Sequence, residues 1–385
     1  MIAVVALAAA GVLVSLAYYF AATLAALRFA RRAAEAAPPL PKVPPRIAVL
    51  KPLHGLSDSL GQNLVSYLET DYPRAEFIFG VASYEDRAAE VPVALRPGYQ
   101  FSNILVVVGE EPGCANRKVA KLIRMGERSD KAEMIVLSDA DVRVERDHLR
   151  RVVGELLADE KTGVVTCVYR AQPADDLAAR LEALFVNTDF VPMVLISEAI
   201  EPMRHAMGAT IAIKREVLDA IGGFRAIKDV LADDFYLGRM AADRGFGVRI
   251  SSSIVTVMCE ERTLHDFWNH QLRWARTHRT VRPVSLATIF IHGPFWALVL
   301  LLSTGANPAS IAVLATVLAA RLIMSATLLA HVLGLPKLLR DMWLVPLKDL
   351  VMTGIWFASL FSNRVLWAGR RYQVLRGGEM REMDG

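Results

Sequence analysis

The chain has 385 residues and a formal net charge of +4, and 54% of its residues are hydrophobic. Its mean hydropathy of +0.33 is too high for an ordinary soluble protein of this length. The length alone predicts one large domain or two ordinary domains. The positive charge is explained either by basic residues at membrane borders or by attraction to anionic lipid or a phosphorylated substrate. No nucleic acid partner is expected.

The three cysteines, Cys114, Cys167 and Cys259, lie far apart and are odd in number. Their spacing fits no zinc motif, and an odd set does not indicate a disulfide framework. We therefore interpret them as ordinary thiols in buried or half-buried positions.

The first apolar segment, residues 4–27, contains no charged residue. It predicts a transmembrane helix, because about 20 apolar residues span a bilayer. A cleaved signal peptide fits less well, since no basic residue precedes the segment and it is longer than a signal core. Arg28, Arg31 and Arg32 follow, and the positive-inside tendency therefore predicts that the next part of the chain is cytoplasmic. The proline-rich residues 37–45 predict a stiff, extended linker.

A second apolar region begins near residue 284 and contains three stretches, 284–303, 309–333 and 343–361. The third includes Lys348 and Asp349, so it is the weakest candidate for a crossing. A re-entrant segment is the alternative interpretation. Three crossings would leave the basic residues that follow outside the cytoplasm, against the positive-inside tendency. The number of C-terminal crossings therefore stays open.

The middle of the chain, residues 46–280, alternates between strand and helix patterns. The strand segments are RIAVLKPL, EFIFGVAS, NILVVVG, MIVLSDA and GVVTCVY. The helical segments are DSLGQNLVSYLET, NRKVAKLIRMGER and DHLRRVVGELLAD. This alternation predicts an α/β domain whose mostly parallel sheet is covered on both faces. In such sheets, ligands bind beyond the carboxyl ends of the strands.

Asp139 and Asp141 stand at the carboxyl end of the MIVLS strand. Two carboxylates in a strand-to-loop turn can share a hard cation with the oxygens of a diphosphate. The alternative is an ordinary turn or helix cap, in which Asp is common. The location at a strand end favours the cation site more than the motif alone does.

Other charged residues follow the neighbouring strands. Lys51 ends the first strand, and Glu85 and Asp86 follow the second, where they form either a solvated turn or a contact to a base or ribose. Lys118 stands near the start of a helix, where it could hold phosphate together with backbone N–H groups. The alternative is a capped surface helix.

Asp233 and Asp234 stand where another helix begins. Carboxylates at this position are favoured by the helix dipole, which is one explanation. The other is that one of them is a general base, which takes a proton from an acceptor hydroxyl.

Residues 263–282 predict a basic, aromatic, amphipathic helix directly before a membrane segment, and we expect it at the membrane interface. A surface anchor is one explanation. The other is that Arg273 and Trp274 contribute to a site, with the cation binding a diphosphate and the indole contacting an acceptor.

Together, these stretches resemble the membrane-bound, inverting GT-A glycosyltransferases, and more narrowly the ceramide glucosyltransferases and the bacterial hopanoid-associated glycosyltransferases. The matching segments run in family order across residues 46–282. They are VLKPLHG, YEDRA, NRKVAKL, LSDADVRV, MGATIAIKREVLDAIGGF, LADDFYLG and HQLRWARTHR. The resemblance implies a GT-A, Rossmann-like nucleotide-sugar domain with transmembrane helices at both ends.

The resemblance and the apolar segments divide the chain into six regions. These are an N-terminal anchor (1–36), a linker (37–45), a GT-A catalytic domain (46–262), an interfacial helix (263–282), a C-terminal transmembrane or re-entrant region (283–363) and a basic tail (364–385). We expect an integral membrane protein with a cytoplasmic catalytic domain. The Ala- and Arg-rich composition favours a bacterial inner membrane.

The resemblance also implies a role for each matching position. Asp86 is expected to read the uracil or ribose, and Asp139 and Asp141 are expected to hold Mg²⁺ or Mn²⁺ at the donor diphosphate. Asp234 is the implied catalytic base, with Asp233 beside it. The full donor-binding set is Lys51, Glu85, Asp86, Lys118, Asp139, His270, Gln271, Arg273 and Trp274.

Arg273 and Trp274 match the end of the family signature (Gln/Arg)-x-x-Arg-Trp. His270 stands where the signature has Gln or Arg, and Gln271 is adjacent, so the side chain that takes the first role stays open. Gly208 and Trp274 are expected on the acceptor side, because glycine lets the backbone approach a ligand closely.

The predicted function is transfer of a hexose, with inversion, from UDP-glucose or UDP-N-acetylglucosamine to a hydroxyl of a ceramide-like or hopanoid membrane lipid. A processive polysaccharide synthase is one alternative, which the small number of C-terminal spans disfavours. A non-catalytic membrane sensor or scaffold on the same fold is the other, which the retention of all the acids disfavours. The sequence distinguishes neither the two acceptors nor the two sugars.

Overall fold

The structure is a computed structural model that describes residues 1–260, 263–367, 369–375 and 377–383. Its helices are α1 (Ile2–Ala33), α2 (Leu60–Leu68), α3 (Glu90–Leu95), α4 (Arg117–Gly126), α5 (His148–Leu157), α6 (Leu177–Phe185), α7 (Val191–Ile200), α8 (Arg215–Ala220), α9 (Asp233–Asp243), α10 (Leu264–Val281), α11 (Gly293–Thr304), α12 (Pro308–Thr327) and α13 (Leu344–Ser359). Its strands are β1 (Ile47–Pro52), β2 (Ala75–Val81), β3 (Asn103–Val108), β4 (Met134–Ser138), β5 (Val142–Arg143), β6 (Thr162–Pro173), β7 (Thr210–Lys214), β8 (Gly247–Cys259), β9 (Arg364–Trp367), β10 (Arg370–Val374) and β11 (Met380–Glu382). Two π-helical segments, Val186–Phe190 and Leu328–Val332, continue α6 and α12.

The chain divides into two compact units. The sheet unit comprises Ala33–Gln172 and Ile200–Met258, and the helical unit comprises Met1–Arg32, Pro173–Ala199 and Cys259–Gly385. The sheet unit therefore includes the proline-rich residues 37–45. It is interrupted by residues 173–199, which the sequence had placed inside a continuous catalytic domain.

The sheet unit is built around an eight-stranded sheet with the order β3-β2-β1-β4-β7-β6-β8-β5. Strands β1 to β4 pair in parallel, whereas β4 with β7, β7 with β6 and β8 with β5 pair antiparallel. The predicted α/β class is confirmed, with a mixed sheet that has a parallel half. All residues of β1 and β4 are buried, as their continuous apolar sequences predicted.

The parallel half determines which residues leave the sheet side by side. β1 and β4 are aligned so that Leu50 lies opposite Leu137. Lys51 and the residues that follow Ser138 therefore come out at the same edge. This is the carboxyl edge, at which the sequence predicted a ligand.

The helical unit contains three helices of the described chain that are long and apolar enough to cross a membrane. They are Ile2–Ala33, Leu177–Ile200 and Pro308–Val332, and the bent pair Pro283–Ile291 and Gly293–Thr304, which meet at 58°, could form a fourth span. The first helix contains the whole predicted segment 4–27. α13 has 16 residues and is not among the candidates, and it corresponds to the weakest predicted stretch.

The sequence did not predict Leu177–Ile200 as a candidate span. Its hydropathy is lower than that of the first helix, 1.5 against 2.2, because Arg180, Glu182 and Asp189 interrupt the apolar pattern. The helix is also 61% buried inside the protein, against 28% for each of the other two candidates. Packing against protein explains how it tolerates these charges.

A buried ionic cluster joins three segments of the helical unit. Arg321 of α12 forms a bidentate pair with Asp349 of α13 at 2.8 and 2.9 Å and lies 2.8 Å from Asp189. Lys348 contacts both Asp189 and Asp349. Two cations and two carboxylates thus balance, as apolar surroundings require.

The residues predicted as a basic tail include a small antiparallel sheet with the order β11-β10-β9. Arg276 and Arg279 of α10 donate hydrogen bonds to the backbone carbonyls of Arg364 and Ser362, respectively. The segment that begins this small sheet is therefore bound to α10.

Candidate active site

Asp139 and Asp141 lie in the turn that connects β4 to β5. A hydrogen bond of 3.3 Å from the N–H of Val142 to the carbonyl of Asp139 closes this turn. The Asp139 side chain is 35% exposed, and Asp141 is exposed. Both acids therefore stand at the carboxyl edge of the parallel half of the sheet.

Lys118 of α4 connects two of the predicted acidic segments. Its ammonium lies 2.7 Å from an Asp139 carboxylate oxygen and 3.2 Å from an Asp233 oxygen. Burial alone would lower the pKa of Lys118, but the charges of Asp139 and Asp233 outweigh it and raise the pKa above its ordinary range. Lys118 is therefore a permanent cation among these acids.

Asn116 fixes the start of α4 against the segment that precedes α9. Its side-chain oxygen accepts a hydrogen bond from the N–H of Val119 (3.1 Å), and its amide donates to the carbonyl of Val230 (2.9 Å). The first contact is an N-cap, which the sequence indicates. The second contact helps to hold Lys118 beside Asp233. It joins segments that are distant in sequence, so the sequence did not predict it.

Gly208 lies between the carboxylates of Asp139 and Asp234. A Cβ atom on Gly208 would stand 3.1 Å from Oδ2 of Asp234 and 3.5 Å from Oδ2 of Asp139. The two carboxylates therefore converge on one point, although distant segments carry them. Glycine keeps this point free of a side chain.

The surroundings of Asp234 favour its protonated form more than water does. Burial and the charge of Asp233 raise the pKa of Asp234 to about 6, while Lys118 and a hydrogen bond from the N–H of Phe235 (2.8 Å) oppose the shift. A carboxylate with a pKa near 6 is suited to accept a proton at neutral pH.

The carboxylate of Asp86 accepts hydrogen bonds from the backbone of two turns. It accepts hydrogen bonds from the N–H groups of Gly55 (3.0 and 3.2 Å) and Ala88 (3.0 Å), and His54 lies 3.4 Å away. Burial would raise the pKa of Asp86, but these contacts outweigh it and hold the pKa below its usual value. Asp86 thus joins two turns beyond β1 and β2, and Glu85 beside it is exposed.

Lys51, which the sequence predicted as a donor contact, is completely buried. Its ammonium donates to the carbonyl of Asp139 (2.7 Å), the hydroxyl of Ser138 (3.0 Å) and the carbonyl of Val142 (3.3 Å). Burial lowers the pKa of Lys51 to about 7, although the charges of Asp141 and Asp139 partly oppose this. The ammonium is therefore bound to the backbone of the turn that carries Asp139 and Asp141.

His270, Gln271, Arg273 and Trp274 lie on α10, in the helical unit. Gln271 is 1% exposed, and its amide donates to both carboxylate oxygens of Glu182, at 2.9 and 2.8 Å. Nδ1 of His270 lies 3.3 Å from the same carboxylate. Gln271 thus points into the protein interior, whereas 27% of the His270 side chain is exposed.

Aromatic rings surround Trp274. Phe185 and Phe190 meet it edge-on at centroid distances of 6.1 and 5.7 Å, and the His270 ring lies at 5.4 Å. Phe185 and Glu182 both belong to α6, so one helix positions both Trp274 and Gln271. The sequence did not predict Glu182, whose signal was a single carboxylate within an apolar helical pattern.

Asp139 and Asp141 offer the oxygen ligands that Mg²⁺ and Mn²⁺ prefer. Although Asp141 is exposed as a whole residue, desolvation by the surrounding protein and the charge of Asp139 raise the pKa of its carboxyl group. Lys51 only partly offsets this, so a further positive charge would be favourable. In the part of the chain that the structure describes, no three His, Cys, Asp or Glu side chains are grouped to hold a metal ion. The two carboxylates fit a cation whose remaining ligands come from a diphosphate.

The family model described as glycosyl transferase family 21 matches residues 7–380, which is nearly the whole chain. The chain belongs to glycosyl transferase family 21. This membership confirms the resemblance to ceramide glucosyltransferase-like proteins that the motifs indicated.

Two relatives of this family 21 protein are ceramide glucosyltransferase 3 and ceramide glucosyltransferase 1 of Caenorhabditis elegans. Both are 24% identical to it over 239 residues, which is 62% of the chain. The match covers 52% and 51% of the relatives, so the chain spans about half of their length.

Among solved structures, the family 21 protein is similar to the mannosyltransferase PcManGT from Pyrobaculum calidifontis, in complex with GDP-Man and Mn²⁺. The TM-score is 0.52 at 21% sequence identity, and the match covers 92% of this chain and 99% of the mannosyltransferase chain. The likeness confirms the predicted GT-A fold class.

Proposed function

We propose that this family 21 protein is an inverting glycosyltransferase, which moves a hexose from a UDP-sugar to a hydroxyl of a membrane lipid. The observation that carries the proposal is the convergence of Asp139 and Asp234 on Gly208. Lys118, bound between Asp139 and Asp233, adds a cation to the same group. A base, a carboxylate pair that can share a metal and a fixed cation together suit sugar transfer from a diphosphate.

In the proposed reaction, Asp234 accepts the proton of the acceptor hydroxyl as its oxygen attacks the anomeric carbon. A new bond forms between that oxygen and the anomeric carbon. The bond from the same carbon to the diphosphate oxygen breaks on the opposite face, so UDP leaves and the configuration inverts. One base is enough for this reaction, whereas glycoside hydrolysis uses two carboxyl groups.

The negative charge that develops on the departing diphosphate needs stabilisation. Lys118 supplies a cation whose position is fixed by Asp139 and Asp233. Asp139 and Asp141 would hold Mg²⁺ or Mn²⁺, which would add positive charge at the diphosphate. We assign Asp86 to the uracil or ribose, since hydrogen bonds keep its carboxylate ionised and oriented.

The proposed roles of Arg273 and Trp274, with the donor diphosphate and the acceptor, rest on the sequence signature. Within that signature, the contacts of Gln271 favour His270, and not Gln271, at the first position. Because both Gln271 and Glu182 are buried and bound to each other, we assign the first signature position to His270.

A lipid acceptor explains why such a site would be tied to a membrane. Exposing each buried CH₂ group of a lipid to water costs about 0.8 kcal/mol, so the sugar has to be brought to the bilayer. The three candidate membrane helices would provide this attachment. We place the sheet unit in the cytoplasm, where nucleotide sugars are made, and favour a bacterial inner membrane. The names of the two relatives favour glucose and ceramide over N-acetylglucosamine and a hopanoid.

The test uses the full chain in lipid nanodiscs, with radiolabelled UDP-glucose or UDP-N-acetylglucosamine and either ceramide or a hopanoid polyol. We expect a lipid that carries one sugar, formed with Mg²⁺ or Mn²⁺ and not with EDTA. Asp234→Asn is expected to lower kcat by about 10²- to 10⁴-fold, the usual contribution of a general base. UDP binding should be retained in this variant.

Asp243→Asn is a matched control, because Asp243 lies on the same helix, is exposed and pairs with Arg239 and Arg204. It is expected to leave kcat unchanged. A polymeric product would favour a processive synthase, and UDP binding without transfer to any lipid would favour a sensor. Full activity of Asp234→Asn would rule out the proposed base.

A further inference from the structure

We propose that Lys51 is a positioning residue, which holds the turn of Asp139 and Asp141 in the conformation that binds a cation. This inference rests on the proposed function, since it concerns the same two acids. The ammonium of Lys51 donates to the carbonyls of Asp139 (2.7 Å) and Val142 (3.3 Å). These are the first and last residues of the turn, so one side chain ties its two ends together.

The two carbonyls between these ends are bound as well. The side-chain amide of Asn63 donates to the carbonyl of Ala140 (3.2 Å), and the N–H of Met258 donates to that of Asp141 (3.0 Å). Every carbonyl of the turn is thus an acceptor, and Lys51 donates to two of the four. A backbone fixed in this way keeps both carboxylates in one orientation.

The surroundings of Lys51 favour this positioning role over a direct contact with the sugar donor. The side chain is 0% exposed, and its ammonium lies 4.1 Å from the centroid of the Tyr67 ring. The Tyr67 hydroxyl donates to Ser138 (2.7 Å), which itself accepts from Lys51. A contact with the sugar donor would require the ammonium to give up its three hydrogen bonds to Ser138, Asp139 and Val142.

The charge of Lys51 has a second effect on the turn. When Lys51 is protonated, its charge reduces the repulsion between the two neighbouring carboxylates, which favours their ionised forms. Preorganised ligands bind a cation more tightly than ligands that have to be ordered during binding. Lys51→Met keeps an unbranched side chain that is one atom shorter, and it removes the charge and all three hydrogen bonds.

The test measures two affinities of the full chain in detergent. Mn²⁺ binding is followed by electron paramagnetic resonance with saturating UDP, and UDP binding is followed by calorimetry with EDTA. We expect Lys51→Met to weaken Mn²⁺ binding at least about tenfold and to change UDP affinity in EDTA less than about twofold. Unchanged Mn²⁺ affinity, or a large loss of UDP affinity in EDTA, would overturn the positioning role.

Arg215→Met is the matched control, because Arg215 donates to the carbonyls of Ser129 and Ala132, which precede the other end of β4. It is expected to lower the Tm but to leave Mn²⁺ affinity within about twofold of wild type. If Lys51→Met does not fold, Ser138→Ala removes one of the three acceptors of Lys51. It should weaken Mn²⁺ binding in the same direction, and wild-type affinity in this variant would contradict the proposal.

The two proposals can fail separately. Wild-type protein that binds Mn²⁺ with UDP while Lys51→Met binds it equally well would refute only the role of Lys51. Wild-type protein that binds no Mn²⁺ in the presence of UDP would refute the metal-dependent function and the role of Lys51 with it.

Discussion

The ammonium of Lys118 lies 2.7 Å from a carboxylate oxygen of Asp139. The same ammonium lies 3.2 Å from an Asp233 oxygen. Its charge also opposes the rise in the pKa of Asp234 that burial and Asp233 cause. One cation at the start of α4 therefore stabilises acids from two distant segments.

Replacing Lys118 should affect these acids together. We expect Lys118→Met to lower kcat about 10²-fold or more, because repulsion among the remaining carboxylates disturbs the base and the metal ligands. Stability should fall by about 1–2 kcal/mol, a modest loss because the pair is partly exposed. Steady-state kinetics and thermal unfolding measure the two effects. Lys118→Arg, which keeps the charge, should retain more activity, and equal loss in both variants would contradict an electrostatic role.

The pKa of Asp234 predicts how activity depends on pH. A general base works only when it is deprotonated, so kcat should rise as pH increases through about 6 and level off above it. Below pH 6, each unit should lower kcat about tenfold. The profile is measured in nanodiscs at saturating donor and acceptor. A flat profile between pH 5 and 7 would be incompatible with Asp234 as the base.

Gly208 should tolerate no side chain without loss of activity. Gly208→Ala places a methyl group 3.1 Å from Asp234 and 3.5 Å from Asp139, so at least one carboxylate has to move. We expect kcat to fall about 10- to 100-fold, since small displacements of reacting groups have large effects. Gly98→Ala is the control, because no atom from another part of the chain lies within 4 Å of its added Cβ. Similar kinetics in the two variants would disprove the crowding at Gly208.

Local sequence patterns predicted which secondary-structure elements the acidic residues follow or begin. Asp139 and Asp141 follow a buried strand, and Asp233 begins a helix, as their neighbours in the sequence indicated. Strand ends and helix starts depend on residues close in sequence, so a single sequence is enough to find them. The α/β class could be predicted for the same reason, whereas the GT-A assignment followed from the resemblance of the motifs and their order to a known family.

The direction of a side chain was harder to predict, because it depends on distant residues. Lys51 stands at a strand end, which suggested a donor contact, but its side chain extends beneath the turn that follows the neighbouring strand. The partner of Gln271 is Glu182, on a helix far away in sequence. That helix was missed as a candidate span because charged residues interrupt its apolar pattern.

The pair formed by Glu182 and Gln271 should be exchangeable. Glu182→Leu would leave the buried amide of Gln271 without its acceptor, and we expect a loss of about 1–3 kcal/mol in stability. The double variant E182Q/Q271E restores one carboxylate and one amide at the same place and should recover about half of the loss or more. Thermal unfolding of the single and double variants in detergent gives the comparison. No recovery in the exchanged pair would show that the hydrogen bond does not hold α10 on α6.

The ionic cluster of the helical unit should depend on charge balance. Arg321→Leu removes one of two cations and leaves Asp189 and Asp349 with only Lys348, so we expect a loss of about 3–5 kcal/mol. Adding Asp349→Leu restores neutrality, because Lys348 then pairs with Asp189 alone. The double variant should therefore be more stable than the single variant, although it lacks more polar contacts. Unfolding in SDS or by heat distinguishes the two, and a double variant that is the less stable would mean that the individual contacts matter more than the balance of charge.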